Sequence, residues 1–183
     1  IDSNVPAGSY AADLADGGGL DLREALALAA GGNKTIGFAA GLSGSTITLG
    51  NTYTVAAGTV FDADAVDTLT ISGQTLSLAG AFSVTNGASD TLSINSHLAD
   101  NGTDTSSLTK TGAGTLVLGG TNNTASTGLN SITVSGGTLQ VAGDTNLSTG
   151  GASDPVSVTL ENGSTLKATS TGEHFIDNKI HLG

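Results

Sequence analysis

Leu108-Thr109-Lys110-Thr111-Gly112-Ala113-Gly114-Thr115-Leu116-Val117-Leu118-Gly119-Gly120 is the stretch that decides the fold. Leu116 and Leu118 are two residues apart, so in an extended strand their side chains share a face. Leu108 opens a separate extended run, and Gly119-Gly120 marks a turn. The apolar-x-apolar pair recurs in both directions, as Ile47/Leu49, Leu69/Ile71, Leu92/Ile94, Leu116/Leu118, Leu139/Val141, Val158/Leu160 and Ile180/Leu182, with steps of 22, 23, 24, 23, 19 and 22 residues. A second, offset ladder follows Ile36, Val60, Phe82, Leu108, Ile132, Val156 and Ile176, with steps of 24, 22, 26, 24, 24 and 20. Turn formers separate the two: Gly73, Gly80, Asn86-Gly87, Gly136-Gly137 and Asn162-Gly163. A period near 22 fits one coil of a parallel β-helix, whose strands stack about 4.8 Å above those of the coil before. An antiparallel sandwich with strands every 8–12 residues is the competing architecture. Two ladders running together favour the solenoid.

Composition agrees. The chain has 183 residues, 28 of them glycine, with 3% aromatic residues and no Cys, Met or Trp. Leu, Val, Ile and Ala set among Thr, Ser, Gly and Asn suit short strands joined by tight turns. A narrow stacked interior also explains the shortage of large rings, which would not repeat comfortably from level to level. Pro6 and Pro155 are the only prolines, so ladder donors are nearly uninterrupted.

Several function classes are excluded. With no cysteine there is no disulfide framework. Sixteen acidic residues against five basic ones give a net charge of −11, which leaves no cationic track for a nucleic acid. The longest apolar run, Ala25 to Ala30, is far short of the about 18 residues of a membrane span. Leu, Ile, Val and Phe total 43 residues, enough for a core. The chain begins without Met or a signal segment and ends on Ile180-His181-Leu182-Gly183, a strand in progress. A piece of a longer chain is expected.

One segment breaks the β pattern. Leu20 to Gly32 reads as a helix over about 21–31, with Asp21 as N-cap, Glu24 completing a capping box and Gly31 or Gly32 as the stop. Leu22, Ala25, Leu26 and Ala29 form its apolar face. It is expected to lid the first coil, which would otherwise be an open edge. Residues 1–45 are thus expected to form an N-terminal cap, and 46–183 the coils. Arg23, the only arginine, is expected to ion-pair or to lie on a solvated helix face.

Leu108 to Asn123, continued by Ile132-Thr133-Val134-Ser135-Gly136-Gly137-Thr138-Leu139-Gln140-Val141, resembles the autotransporter-associated β-strand repeat, approximately L-x-K-x-G-x-G-x-L-x-L-x-G-x-N followed by a strand and G-T-L-x-V. The match covers about 34 residues and departs at Thr124-Ala125-Ser126, where the family often has an aromatic. Leu22-Arg23-Glu24-Ala25-Leu26, followed by Ile36-Gly37-Phe38, is similar to the S-L-R-E-A segment of many bacterial surface β-helices, with Leu20-Asp21 in place of the usual Cys-Ser. The resemblance implies an all-β, right-handed parallel β-helix with a short N-terminal capping helix. It implies the passenger region of a bacterial autotransporter or surface adhesin, displayed on the cell surface. It also implies a parent chain ending in a C-terminal translocation β-barrel.

Chemistry-bearing constellations are few. Asp62, Asp64 and Asp67 form D-x-D-x-x-D, a set of oxygens of the kind calcium uses. The spacing matches neither an EF-hand nor a nonapeptide calcium repeat, so a solvated acidic turn is expected, and the same holds for Asp100, Asn101 and Asp104. The cations Arg23, Lys34, Lys110, Lys167 and Lys179 fall mostly one per distant coil. His97, His174 and His181 lie in no nucleophile motif. The Asn-x-Ser/Thr triplets at Asn33, Asn101, Asn122 and Asn162 arise by chance in so Thr/Ser-rich a chain. No catalytic, cofactor-binding or metal-binding residue is therefore expected. A face for ice or another crystal would need outward Thr-x-Thr repeats in register, and Thr46-x-Thr48 starts no regular ladder. The expected function is a non-catalytic structural or adhesive rod whose partner is a surface protein or glycan, with no nucleic acid and no membrane span. A polysaccharide-active β-helix lyase or hydrolase is the alternative.

Overall fold

A computed structural model of the chain describes residues 21–102, 106–120, 129–147, 157–161, 163–169 and 179–183. The architecture is a parallel β-solenoid. β1 (Thr35–Gly37), β4 (Thr59–Asp62), β7 (Ala81–Thr85), β10 (Ser107–Thr111), β12 (Ser131–Val134), β14 (Ser157–Leu160) and β16 (Lys179–Leu182) pair in that order as one seven-stranded sheet. β2 (Ser45–Leu49), β5 (Thr68–Gly73), β8 (Thr91–Ile94), β11 (Thr115–Leu118), β13 (Thr138–Val141) and β15 (Thr165–Ala168) form a second sheet. β3 (Tyr53–Val55), β6 (Leu76–Leu78) and β9 (Leu98–Asp100) form a third, short one. Every pairing is parallel. Six inter-strand steps along the longest sheet span about 29 Å at ~4.8 Å each.

Register turns the period into a core. In the second sheet Leu69, Leu92, Leu116, Leu139 and Leu166 stack in one column. Ile47, Ile71, Ile94, Leu118, Val141 and Ala168 stack in the next. In the first sheet, Phe82, Leu108, Ile132, Val158 and Ile180 form a column. Alternation along each strand places these columns on the inner side, with Ala168 and Ile180 exposed at their ends, and mostly Thr or Ser outside. Leu69 to Leu139 and Phe82 to Val158 are each 0–1% exposed.

Three expectations shift. Ile47 pairs with Ile71, not with Leu69, so Leu49 faces Gly73. Val158/Leu160 and Ile180/Leu182 belong to the seven-stranded sheet, and the true continuation of the Leu139/Val141 ladder is Leu166/Ala168. Val60 points outward, and Phe61 takes the inner place beside Ile36. Apolar-x-apolar pairs occur in both sheets, so only hydrogen-bond register tells them apart. Val156 and Ile176 lie outside the described residues.

Rings do stack inside. Phe38, Phe61 and Phe82 pack edge to face, with centroids 5.4 and 4.8 Å apart. They belong to the coils in which the third sheet is described. Edge-to-face geometry lets rings repeat along the axis.

The helix, α1, spans Leu22–Leu28. Asp21 Oδ1 accepts from Glu24 N at 2.8 Å, and Glu24 Oε2 accepts from Asp21 N at 3.1 Å, which completes the capping box. The helix ends earlier than expected, because Gly32 at φ +74° and Asn33 at φ +52° turn the chain into β1. Leu22, Ala25, Leu26 and Ala29 are buried in one cluster with Phe38, Leu49 and Val55, and α1 contacts β3. Arg23 ion-pairs with Asp21 Oδ2 at 3.2 Å and Glu24 Oε1 at 3.1 Å. Asp21→Ala is expected to lower stability by about 1 kcal/mol, read from the urea midpoint, by removing the cap. No helix among the described residues is long and apolar enough to cross a membrane.

Candidate functional site

Corners between sheets are where this fold places polar side chains. At the corner that leads from the seven-stranded to the six-stranded sheet, successive coils contribute Asn86-Gly87, Gly112-Ala113-Gly114 and Gly136-Gly137. Backbone carbonyls there have no strand partner and need donors. Asn86, fully buried, supplies them to its own corner and to the next coil: Nδ2 donates to Asp90 O at 3.1 Å and, on β11, to Thr115 O at 2.6 Å. Its Oδ1 finds no partner among the described residues.

Lys110 supplies the next two corners. It pairs with Val84 below and Val134 above, so its stem fills an inner column that is otherwise apolar, and it is 0% exposed. Nζ donates to Thr111 O at 2.5 Å, Gly112 O at 2.9 Å and Gly136 O at 3.3 Å. All three ammonium hydrogens are thereby used, across two coils. Burial lowers its pKa from 10.5 to about 8, and the Asp64 carboxylate pulls the other way. In the L-x-K-x-G-x-G pattern, then, Leu108 and Lys110 face inward, Lys110 closes the corner, and the glycines let the coils approach.

Gly137 shows why. Its φ is +65°, and a Cβ there would lie 2.7 Å from both Ala113 C and Gly112 O. Gly163 has φ +81° but open space around it. Gly137→Ala is expected to cost at least about 2 kcal/mol, the left-handed conformation plus a backbone collision, and Gly163→Ala only about 1. Equal urea midpoints for the two variants would show that coil approach is not limiting at this corner.

The opposite corner uses Asn146. Its Oδ1 accepts from Ala142 N and Gly143 N at 2.9 Å each, and its Nδ2 donates to Gly120 O at 2.9 Å. Among the described residues the third sheet runs to Asp100, which is 4% exposed. Asp100 Oδ1 accepts from Gly102 N at 2.6 Å and Oδ2 from Ser106 N at 3.0 Å. Ser106 Oγ donates to Leu78 O at 2.9 Å. Asp100 is therefore a buried chain-turning carboxylate and not a solvated acidic loop. Asp104 lies outside the described residues.

The remaining sequence candidates are not assembled into one site. Asp62 Oδ1 accepts from Asp64 N at 3.0 Å, and Asp67 N donates to Ser43 Oγ at 3.0 Å. Asp64 and Asp67 are exposed. Among the described residues no three His, Cys, Asp or Glu side chains come together as metal ligands. Lys34, Lys167 and Lys179 sit on different coils. His97 is half-buried with its pKa lowered by burial, and its Nε2 has no partner among the described residues. His181 is exposed on β16, and His174 lies outside the described residues.

One feature that the linear sequence concealed is the hydroxyl array. Thr68, Thr91, Thr115, Thr138 and Thr165 stand in register as a single column. On the seven-stranded sheet Ser83, Thr109, Thr133 and Thr159 form another, beside Ser107, Ser131 and Ser157. These are single Thr columns and Ser-x-Thr rungs: beside the Thr column of the six-stranded sheet stand Thr70, Ser93, Val117, Gln140 and Lys167, so Thr-x-Thr forms no regular ladder there. Steps of 23 to 27 residues hide the columns in the sequence, and parallel pairing aligns them. Compared with known protein families, curated proteins and solved structures, the chain finds no match in any of the three.

Proposed function

We propose that the chain is a non-catalytic structural and adhesive module, the capped portion of a surface-displayed β-helix whose stacked coils form a stiff rod. The observation that carries this reading is the unbroken parallel stack, in which Lys110, the one buried cation among the described residues, serves backbone carbonyls. A cation committed to the fold is withdrawn from chemistry. The Leu108–Asn123 resemblance supports a passenger region on a bacterial surface, secreted with a C-terminal translocation β-barrel in the parent chain. The net charge of −11 suits a long β surface that must resist edge-to-edge association.

Immobilised full chain tested against arrays of glycans and extracellular proteins is expected to retain at least one surface class. The same chain incubated with acidic and neutral polysaccharides is expected to release no new reducing ends or unsaturated sugars. Turnover of any polysaccharide overturns the reading in favour of a β-helix lyase or hydrolase.

A further inference from the structure

The outward face of the seven-stranded sheet has a chemistry of its own. Ser107, Thr109, Ser131, Thr133, Ser157 and Thr159 stand in two columns across three rungs. Strand spacing puts neighbours in a column about 4.8 Å apart, and the i, i+2 pair on each strand about 6.6 Å apart. The outward positions of β7, β10, β12 and β14 carry no charge, although the chain carries −11. Among the described strands of this sheet, outward charge stands at the margins, with Asp62 on β4 and Lys179 and His181 on β16. Val60 on β4 and Ala81 on β7 are apolar outward residues at the margin of this face, and among the described residues no aromatic ring or large aliphatic side chain stands at the outward positions of β10, β12 and β14.

We propose that this face docks insoluble neutral polysaccharide, a deepening that rests on the adhesive reading above. Each step follows from recognition chemistry. A neutral face held within an acidic chain complements an uncharged partner, and it offers nothing to a polyanion or polycation. Without apolar area it cannot seat a lipid or a hydrophobic protein patch. Hydroxyls both donate and accept, as those of a sugar polymer do. One hydroxyl gains little over the water it gives up, and no ring is present to stack on a pyranose. Affinity must therefore come from many weak contacts made together, which needs a partner as rigid and repetitive as the rod. The parallel ladder fixes the spacing of the rungs before binding, so the backbone adds little ordering entropy to oppose it.

The test is sedimentation of the full chain with microcrystalline cellulose and with chitin, at fixed salt. Retention on at least one is expected, at least tenfold reduced in the double variant Thr109→Val/Thr133→Val, whose side chains keep the β-branched shape and the thermal midpoint. Thr109→Glu/Thr133→Glu, which adds charge, is the second variant and is expected to abolish retention. Millimolar glucose or N-acetylglucosamine should not elute the protein. Equal retention of wild type and both variants, retention on neither polymer, or elution by monosaccharide overturns the proposal. Binding elsewhere on a glycan or protein array, unchanged by the double variant, overturns this face while the adhesive reading stands; no binding to any surface overturns both.

Discussion

Phe61→Ala is expected to destabilise the N-terminal coils by about 3–5 kcal/mol. Phe61 is 0% exposed and lies between Phe38 and Phe82, with centroids 5.4 and 4.8 Å away. Truncation removes the ring and both edge-to-face contacts, each worth about 0.5–1.5 kcal/mol beyond area burial. The cavity cannot collapse easily, because β1 and β7 are held at strand spacing on either side of β4. Solenoid coils contact mainly their neighbours, so the damage should stay local. In hydrogen exchange, amides of β1, β4 and β7 should lose protection while those of β12 and β13 keep it. A uniform loss along the whole chain would mean that the stack unfolds as one unit, with no local coil stability. Phe61→Leu, which keeps part of the volume, should fall between the two.

The period was legible because Leu69/Ile71, Leu92/Ile94, Leu116/Leu118 and Leu139/Val141 repeat one motif at nearly one spacing. Those four rungs align as read. Reading failed where a pattern is shared by two sheets. Val158/Leu160 looks like a rung of the six-stranded sheet, but its hydrogen bonds place it beside Ile132/Val134. The third sheet was missed because its strands are three residues long, too short to show alternation. The capping box was legible in full, since Asp21 and Glu24 act within one turn. Asn86, Asn146 and Asp100 were not, because their partners depend on which corner stacks on which. Lys110 gave one usable signal. It sits two residues after Leu108, and alternation alone puts both on the inner face; charge argued the other way, and the corner carbonyls decided the matter.

Lys110 also yields the largest pH effect. Its pKa, lowered from 10.5 to about 8, means that the fold disfavours the charged form by about 3 kcal/mol, at ~1.4 kcal/mol per unit. Below pH about 8 both folded and unfolded chains carry the proton, and this penalty is fully present. Between about 8 and 10.5 the unfolded chain keeps the proton and the folded chain loses it, so stability rises with pH. Above 10.5 the penalty is gone. Lys110→Met keeps the stem in its column and removes the charge. Thr111 O, Gly112 O and Gly136 O then lose a donor, at roughly 1 kcal/mol each. Near pH 7 this loss offsets the relief from burial, so the Met variant should lie within about 1 kcal/mol of wild type. At pH 10.5 the wild type should be ahead by about 3 kcal/mol, because only its stability has risen. Lys110→Ala gives up the same donors and most of the stem as well, and should fall a further 2–3 kcal/mol or so below the Met variant at every pH. Urea midpoints at pH 7, 9 and 10.5 for the three proteins decide the point. Wild type and Lys110→Met moving in parallel across that range would show that the ammonium is solvated at the corner and that its burial governs nothing.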